Sequence, residues 1–382
     1  MAIKLKVAII TPGSFPIPSP NSSSVETVVE RLTAALKNEV DFTIFGKKSK
    51  ELHRKEKRGN ITYIRFKKRY LSRVMEELQK VEYDIIQVEN RPKFVLPIRQ
   101  LFPDAQIWLS LHSTKFISNP HINREELFRE LSFSDKIMVN SHFLKRYLTN
   151  MSNEHDYKIY VNHLGVDTRQ FQSKWQSPPL PQVEKIKKLL NLEGQYHLLY
   201  VGRLRKIKGV EMLLKALPKV VKKHPNVRLT IVGNAFYGSN RKTRYVNHLY
   251  QLAEMVSEHV KFVPFIPHDQ IHFWFQAADI VIVPSIGNEA FGLVNIEAMA
   301  CGIPVIATNI GGMPEIIQHG YTGFLINPED GVNELAAYLD QLLSNPPLIK
   351  KMGENCVMNV LKNFTWERSA HRLLQQYLQI RS

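Results

Sequence analysis

Residues 289–312 read EAFGLVNIEAMACGIPVIATNIGG, and the apolar run Ile280-Val281-Ile282-Val283-Pro284-Ser285 leads into them. Two carboxylates, Glu289 and Glu297, lie eight positions apart and bracket a Phe-Gly-Leu turn and the start of a small-residue helix. A strand stopping at Pro284, a polar loop and a helix beginning near Gly292 leave helix N–H groups unpaired above the strand end. Such groups favour negative charge. The stretch therefore predicts an anion site flanked by two carboxylates, built on a strand–loop–helix unit.

That unit recurs in both directions. Upstream, His197–Val201, Val227–Val232 and Val260–Phe262 read as short buried strands, separated by helical stretches over Val210–Lys222 and Tyr245–Glu258. A helix over Gln270–Gln276 precedes the strand at Ile280. Downstream, Val305–Thr308 and Gly323–Ile326 complete the set, and helices near Val332–Leu343 and Trp366–Leu378 close the chain. The first half repeats the scheme. Strands are expected at Leu5–Ile10, Val40–Phe45, Ile61–Phe66, Tyr83–Val88, Ile107–Leu111 and Asp135–Val139. Helices are expected at Val25–Leu36, with Ser24 as N-cap, and around Leu71–Gln79. Strands alternating with helices mean a parallel sheet with helices on both faces, the α/β class. Ligands of such sheets bind beyond the C-terminal strand ends, which makes Ser14, Asn90, His112 and Ser141 candidates to line a cleft. The proline-rich FQSKWQSPPLPQ at 171–182 breaks the pattern. It divides two doubly wound, Rossmann-like domains expected to face each other across a cleft, the first over residues 1–176.

A length of 382 residues exceeds one ordinary core. No apolar run approaches the roughly 20 residues of a membrane helix, and Val7–Ile10 is too short for a signal-peptide core, so a cytoplasmic protein is expected. Cys301 and Cys356 show no metal-ligand or disulfide spacing. Cys301, among small residues, reads as a packing residue. The net charge of +16 is concentrated in the first half, where residues 1–180 carry 29 Lys and Arg against 19 Asp and Glu. Basic runs at Lys47–Arg58 and Arg65–Arg73 read either as solvated surface or as a contact for an anionic surface or acidic acceptor. Nucleic acid is not expected, because neither aromatic interleaving nor a nucleic-acid motif accompanies the charge.

Gly202-Arg203-Leu204 and Lys208-Gly209 follow the strand at His197. A strand ending in glycine allows close backbone approach, and Arg203 and Lys208 can point to one side of the loop. Arginine offers a planar fork to phosphate oxygens and lysine a point charge. The pair reads as a diphosphate clamp, or else as two solvated cations near a turn.

GRLRKIKG, then PSIGNEAFGLVNIEAMACGIPVIATNIGGMPEII and GYTGFLI, resemble the C-terminal half of the retaining glycosyltransferase family 4, whose signature is two glutamates separated by seven residues. The resemblance continues through HLGVD at His163–Asp167 and FTWERSA at Phe364–Ala370, while PIPSPNSSS and VENRP look most like glycosyltransferases associated with the bacterial spore coat. It implies the GT-B architecture, with an acceptor-binding domain over 1–176, a nucleotide-sugar domain over 177–364, and a terminal helix over 365–382 returning to the first domain. By the same resemblance, Gly202, Arg203 and Lys208 bind the donor diphosphate, Glu297 the ribose hydroxyls, and Glu289 the donor sugar as a catalytic residue. The backbone of Phe291, Gly292 and Leu293 contacts sugar and phosphate, and Pro264, Phe265 and Ile266 present backbone groups to the base. His112 matches a family histidine near donor sugar and acceptor, its plainer reading being a solvated loop histidine.

The implied reaction moves a hexose from a nucleotide sugar, UDP-linked, to a glycan, lipid-linked or protein acceptor, with a spore-coat or surface component among them. It needs neither cofactor nor metal, and the sequence has no Asp-x-Asp triplet to hold a divalent cation. The chain departs from the family at Ser22-Ser23, where relatives carry two glycines that let backbone amides approach donor phosphate or acceptor. Ala290 replaces a common proline. These departures leave room for a GT-B scaffold of the spore coat with weak or no turnover, and a nucleotide-sugar epimerase is a third reading.

Overall fold

The structure, a computed structural model, describes residues 4–18, 24–176, 178–236 and 241–381. The chain forms two compact units, Met1–Leu164 with Trp366–Ser382, and Gly165–Thr365.

In the first unit, eight strands form one sheet: β1 Leu5–Ile10, β2 Val40–Lys47, β3 Lys55–Arg58, β4 Ile61–Phe66, β5 Ile85–Glu89, β6 Gln106–Leu111, β7 Lys136–Val139 and β8 Ile159–Val161. Their order is β3-β4-β2-β1-β5-β6-β7-β8, parallel throughout except for β3 against β4. All five residues of β5 are buried, as in strands covered by helices on both faces. β3 is KEKR, which reads as polar coil. It is an edge strand whose charges leave one side to solvent, and its Glu56 pairs at 3.0 Å with the fully buried Arg65 of β4. The helix Trp366–Leu378 packs into this unit: the Tyr377 ring lies tilted against Trp108 with centroids 5.1 Å apart, and the Asn162 side chain donates to Ser369 O.

In the second unit, β9 Tyr196–Val201, β10 Val227–Val232, β11 Val260–Val263, β12 Ile280–Val283, β13 Val305–Thr308 and β14 Gly323–Ile326 are all parallel. Their order is β11-β10-β9-β12-β13-β14. Counted from β9 this is 3-2-1-4-5-6, the Rossmann order. The helix Val210–Lys223 buries Val210, Leu213, Leu214 and Leu217 in a core shared with Leu198, Leu229 and Ile282.

Three expectations need correction. The units divide after Leu164, twelve residues ahead of the boundary expected at 176. Residues from Gly165 onward belong to the second unit because Val166 N donates to Phe364 O, Lys174 N to Cys301 O and the Trp175 indole to Gly302 O. The first helix spans Ser24–Ala35, which puts Ser24 inside it rather than at the cap. The helices that the sequence reading does not place include Pro181–Leu189 and Pro346–Asn363. Each begins with proline, which suits a first turn whose N–H groups have no partner. Among the described residues no helix is long and apolar enough to cross a membrane.

Candidate active site

β9 and β12 are neighbours at the centre of the second sheet. From β9 the chain winds outward through β10 and β11, and from β12 it winds the opposite way through β13 and β14. The loops leaving these two strands, 202–209 and 284–292, therefore flank the point where the winding reverses, the place at which such sheets take ligands. They are bonded to each other, since Ile286 N and Gly287 N both donate to Ile207 O, at 2.9 and 3.1 Å. Gly209 has φ 67°, and a β-carbon there would lie 1.7 Å from Pro284 O. Only glycine permits that approach.

Close packing of the loops puts Lys208, on a single 3-10 turn, against Glu289, and its Nζ donates to Oε2. Both side chains are about three-quarters buried, 22% and 26% exposed. The 202–205 segment is braced from below by the Tyr200 hydroxyl, which donates to Arg203 O at 3.0 Å. Burial pushes that phenol's pKa up, so it stays protonated as a donor. Glu289 is fixed from the other side by the loop after β13. Gly312 N donates to Glu289 O at 2.8 Å, and Gly311, at φ 61°, would set a β-carbon 2.1 Å from that oxygen.

Gly292 caps the helix Leu293–Ala300, which brings Phe291, Gly292 and Leu293 to the N-terminal end with its unpaired N–H groups. Glu297 lies on this helix, largely buried, and its Oε1 is 2.8 Å from His268 Nε2. His268 stands on the loop after β11 that also carries Pro264, Phe265 and Ile266, so this contact ties that loop to the helix. Sequence reading missed His268 because the partners are 29 positions apart. It also missed Asn295, whose buried amide nitrogen and oxygen have no partner among the described residues, as is true of the Ser285 hydroxyl. Cys301 is fully buried, and desolvation raises its thiol pKa well above the usual value, in keeping with a packing role.

In the first unit, His112 follows β6. Its N–H donates to Asn90 Oδ1 and its Nε2 lies 2.7 Å from Glu89 Oε2. Glu89 is 2% exposed and also accepts from Gln87 Nε2, while Gln87 accepts from the Tyr377 hydroxyl at 2.7 Å. A carboxylate only accepts, so Nε2 is the donor in this contact. Nδ1 is buried and has no partner among the described residues. His112 is thus a held side chain rather than a solvated loop histidine. Ser141 is not a cleft residue: it is fully buried and caps the helix His142–Thr149 by accepting from Leu144 N. Ser22 and Ser23 lie outside the described residues.

A hollow of about 990 Å³ sits at the other end of the second sheet, lined by Lys174, Trp175, His197 and Asp279 among others. Its deepest charged and ring groups satisfy one another. Lys174 pairs with Asp279 at 2.9 Å, and His197 bonds Ala277 O through Nδ1 and Thr230 Oγ1 through Nε2. Burial pushes the His197 pKa down to about 4. The unfolded chain therefore takes up a proton below its ordinary value near 6.5 that the folded unit refuses until about 4. Stability contributed by neutral His197 should be complete above that range and fall by roughly 2–3 kcal/mol as pH drops from about 7 to about 4.5. Denaturant unfolding at several pH values checks this, and an equal pH dependence in a His197→Gln variant would exclude it.

A family model described as Glycosyltransferase Family 4 matches residues 25–170, and one described as Glycosyl transferases group 1 matches residues 182–356. Spore coat protein SA of Bacillus subtilis is 29% identical over 374 residues, covering 98% of this chain and 99% of that protein. D-inositol 3-phosphate glycosyltransferase of Pseudarthrobacter chlorophenolicus is 36% identical over 186 residues, 48% of this chain and 43% of that protein. Among solved structures, Anabaena HepE in complex with UDP-glucose aligns with a TM-score of 0.79 at 19% identity, over 98% of this chain and 100% of that one. The two Rossmann-like units are thus those of GT-B proteins.

Proposed function

We propose that this chain, which belongs to the glycosyltransferases, with a Family 4 domain followed by a group 1 domain, transfers a hexose from a UDP-linked donor with retention of configuration and without a metal ion. The observation that carries the reading is the Lys208–Glu289 pair at the switch point of the second sheet. It sets a fixed cation beside a carboxylate able to accept from sugar hydroxyls, next to a helix N-terminus. Lys208 and Arg203 would neutralise the diphosphate, whose charge grows as the bond to C1 of the sugar breaks. Glu289 would hold the sugar by its hydroxyls and Glu297 the ribose.

In the front-face course the acceptor oxygen bonds to C1 on the face the phosphate leaves, and its proton passes to a departing phosphate oxygen. UDP and a glycoside of unchanged configuration are the products. Such a reaction asks for positioning and charge stabilisation more than a tuned base. The first unit takes the acceptor, a glycan or a surface component, with His112 as a polar contact.

UDP-glucose and UDP-N-acetylglucosamine should raise the melting temperature equally with magnesium and with a chelator. At a hundred times its dissociation constant a ligand stabilises by about 2.7 kcal/mol, which for a unit of this size is roughly 5–10 °C. Silence across uridine, guanosine and adenosine diphosphate sugars would overturn the donor assignment. A second reading, a coat scaffold that binds nucleotide without turnover, is favoured by the name of the Bacillus relative. UDP stabilisation without sugar release or transfer would select it.

A further inference from the structure

We propose that the acceptor carries an anionic group, a phosphate or a carboxylate, and that Arg91 in the first unit receives it; the inference rests on the glycosyltransferase reading above. The first sheet reverses its winding between β1 and β5, since the chain proceeds from β1 to β2, β4 and β3 on one side and from β5 to β6, β7 and β8 on the other. The loops leaving these strands carry Ser14 and Arg91, so Arg91 stands at this unit's own ligand-taking point.

Its guanidinium is fixed. Nη1 donates to Asn90 O at 2.8 Å, Nη2 to Ser14 Oγ at 3.0 Å, and the group lies 3.8 Å from the centroid of the Phe116 ring. A planar fork immobilised in this way is pre-organised for the oxygens of a phosphate or carboxylate.

What Arg91 lacks is an anion. Among the described residues no carboxylate lies within ion-pair distance of it, although the buried Glu26 acts on it from farther off. Burial disfavours its charge and lowers its pKa. A half-buried, unpaired cation is costly. Two more cations share its contacts: Lys47, whose Nζ donates to Ser14 O at 3.1 Å, and Lys115, 5.3 Å from the Phe116 ring centroid. Neither is ion-paired among the described residues. Three cations therefore gather at the strand ends, around an aromatic wall extended by His121, 4.7 Å from Phe116. A purely structural Arg91, tying the two loops together, would explain the hydrogen bonds to Asn90 and Ser14 but not the collection of unpaired charge.

The test is calorimetric binding to the full chain saturated with UDP, using glucose 6-phosphate, glucuronate and uncharged glucose as probes. At least one anionic sugar should bind about tenfold or more tighter than glucose, the scale of a charge-assisted hydrogen bond. The preference should shrink as salt rises. A stronger phosphate would name a phosphorylated acceptor and a stronger carboxylate an acidic sugar. The preference should vanish in Arg91→Gln and fall several-fold in the Lys47→Gln, Lys115→Gln double variant. The double variant changes only exposed side chains and leaves the loop tie intact. Equal binding of glucose and both anionic sugars, no binding of either anionic sugar, or an unchanged preference in the double variant overturns the proposal while UDP binding survives. Failure of UDP itself to bind overturns the donor reading and this inference with it.

Discussion

Transfer by Lys208→Ala should fall by about a hundredfold to a thousandfold, the usual loss when one group stabilising transition-state charge is removed. The protein should remain folded. Lys208 and Glu289 are about three-quarters buried but keep an edge open to water, which limits what losing the pair costs the fold. The cost falls on turnover because the leaving diphosphate gains charge in the transition state and the ammonium is aimed by backbone rather than by a flexible loop. Lys208→Ala also leaves the Glu289 carboxylate unpaired beside the incoming phosphates, which should weaken UDP binding. Glu289→Gln separates the effects: it keeps the shape and the diphosphate cation but weakens acceptance from sugar hydroxyls, so it should lower transfer while UDP itself binds nearly as before. Steady-state rates and calorimetric UDP affinities decide the matter. Wild-type transfer in both variants would end the assignment of this pair.

The largest expected change in stability belongs to Gly209→Ala. A β-carbon 1.7 Å from Pro284 O cannot be accommodated by rotating a side chain, because the obstacle is backbone. The alanine must also hold a left-handed conformation at some further cost. The two loops then have to part. We expect roughly 2–4 kcal/mol of destabilisation of the second unit, in the range of the most damaging single substitutions, and a melting temperature lower by roughly 5–15 °C. UDP affinity should fall as well, since the displaced loop carries Lys208 at the preceding position. A variant with unchanged melting and unchanged UDP affinity would show that the loops are not coupled in this way.

These two residues also mark how far the sequence could be read. β1, β4, β10, β13 and β14 lie where the apolar runs predicted them, because a strand buried on both faces leaves a continuous hydrophobic signature. Gly209 and Lys208 stood out through local chemistry. Pairings set by sheet neighbours were not legible. Glu89 meets His112 because β5 and β6 run parallel with Glu89 opposite Ser110, and no window of either strand contains that register. His268 reaches Glu297 from the loop after β11, which no local window joins to the helix after β12. The charged edge strand β3 was hidden because its residue types favour coil. Arg91 was passed over as one more cation in a basic half, its isolation visible only once its neighbours were placed.

The Tyr377 hydroxyl donates to Gln87, Gln87 donates to Glu89, and the same carboxylate accepts from His112, so a distant phenol helps to set the imidazole proposed to meet the acceptor. The phenol anchoring that line sits near the end of the last long helix, some 290 positions from Gln87. A nonsense change, a protease nick or a bulky purification tag there would be scored by inspection as harmless trimming. If His112 meets the acceptor as proposed, such a change would cost its imidazole part of its support, and transfer would fall.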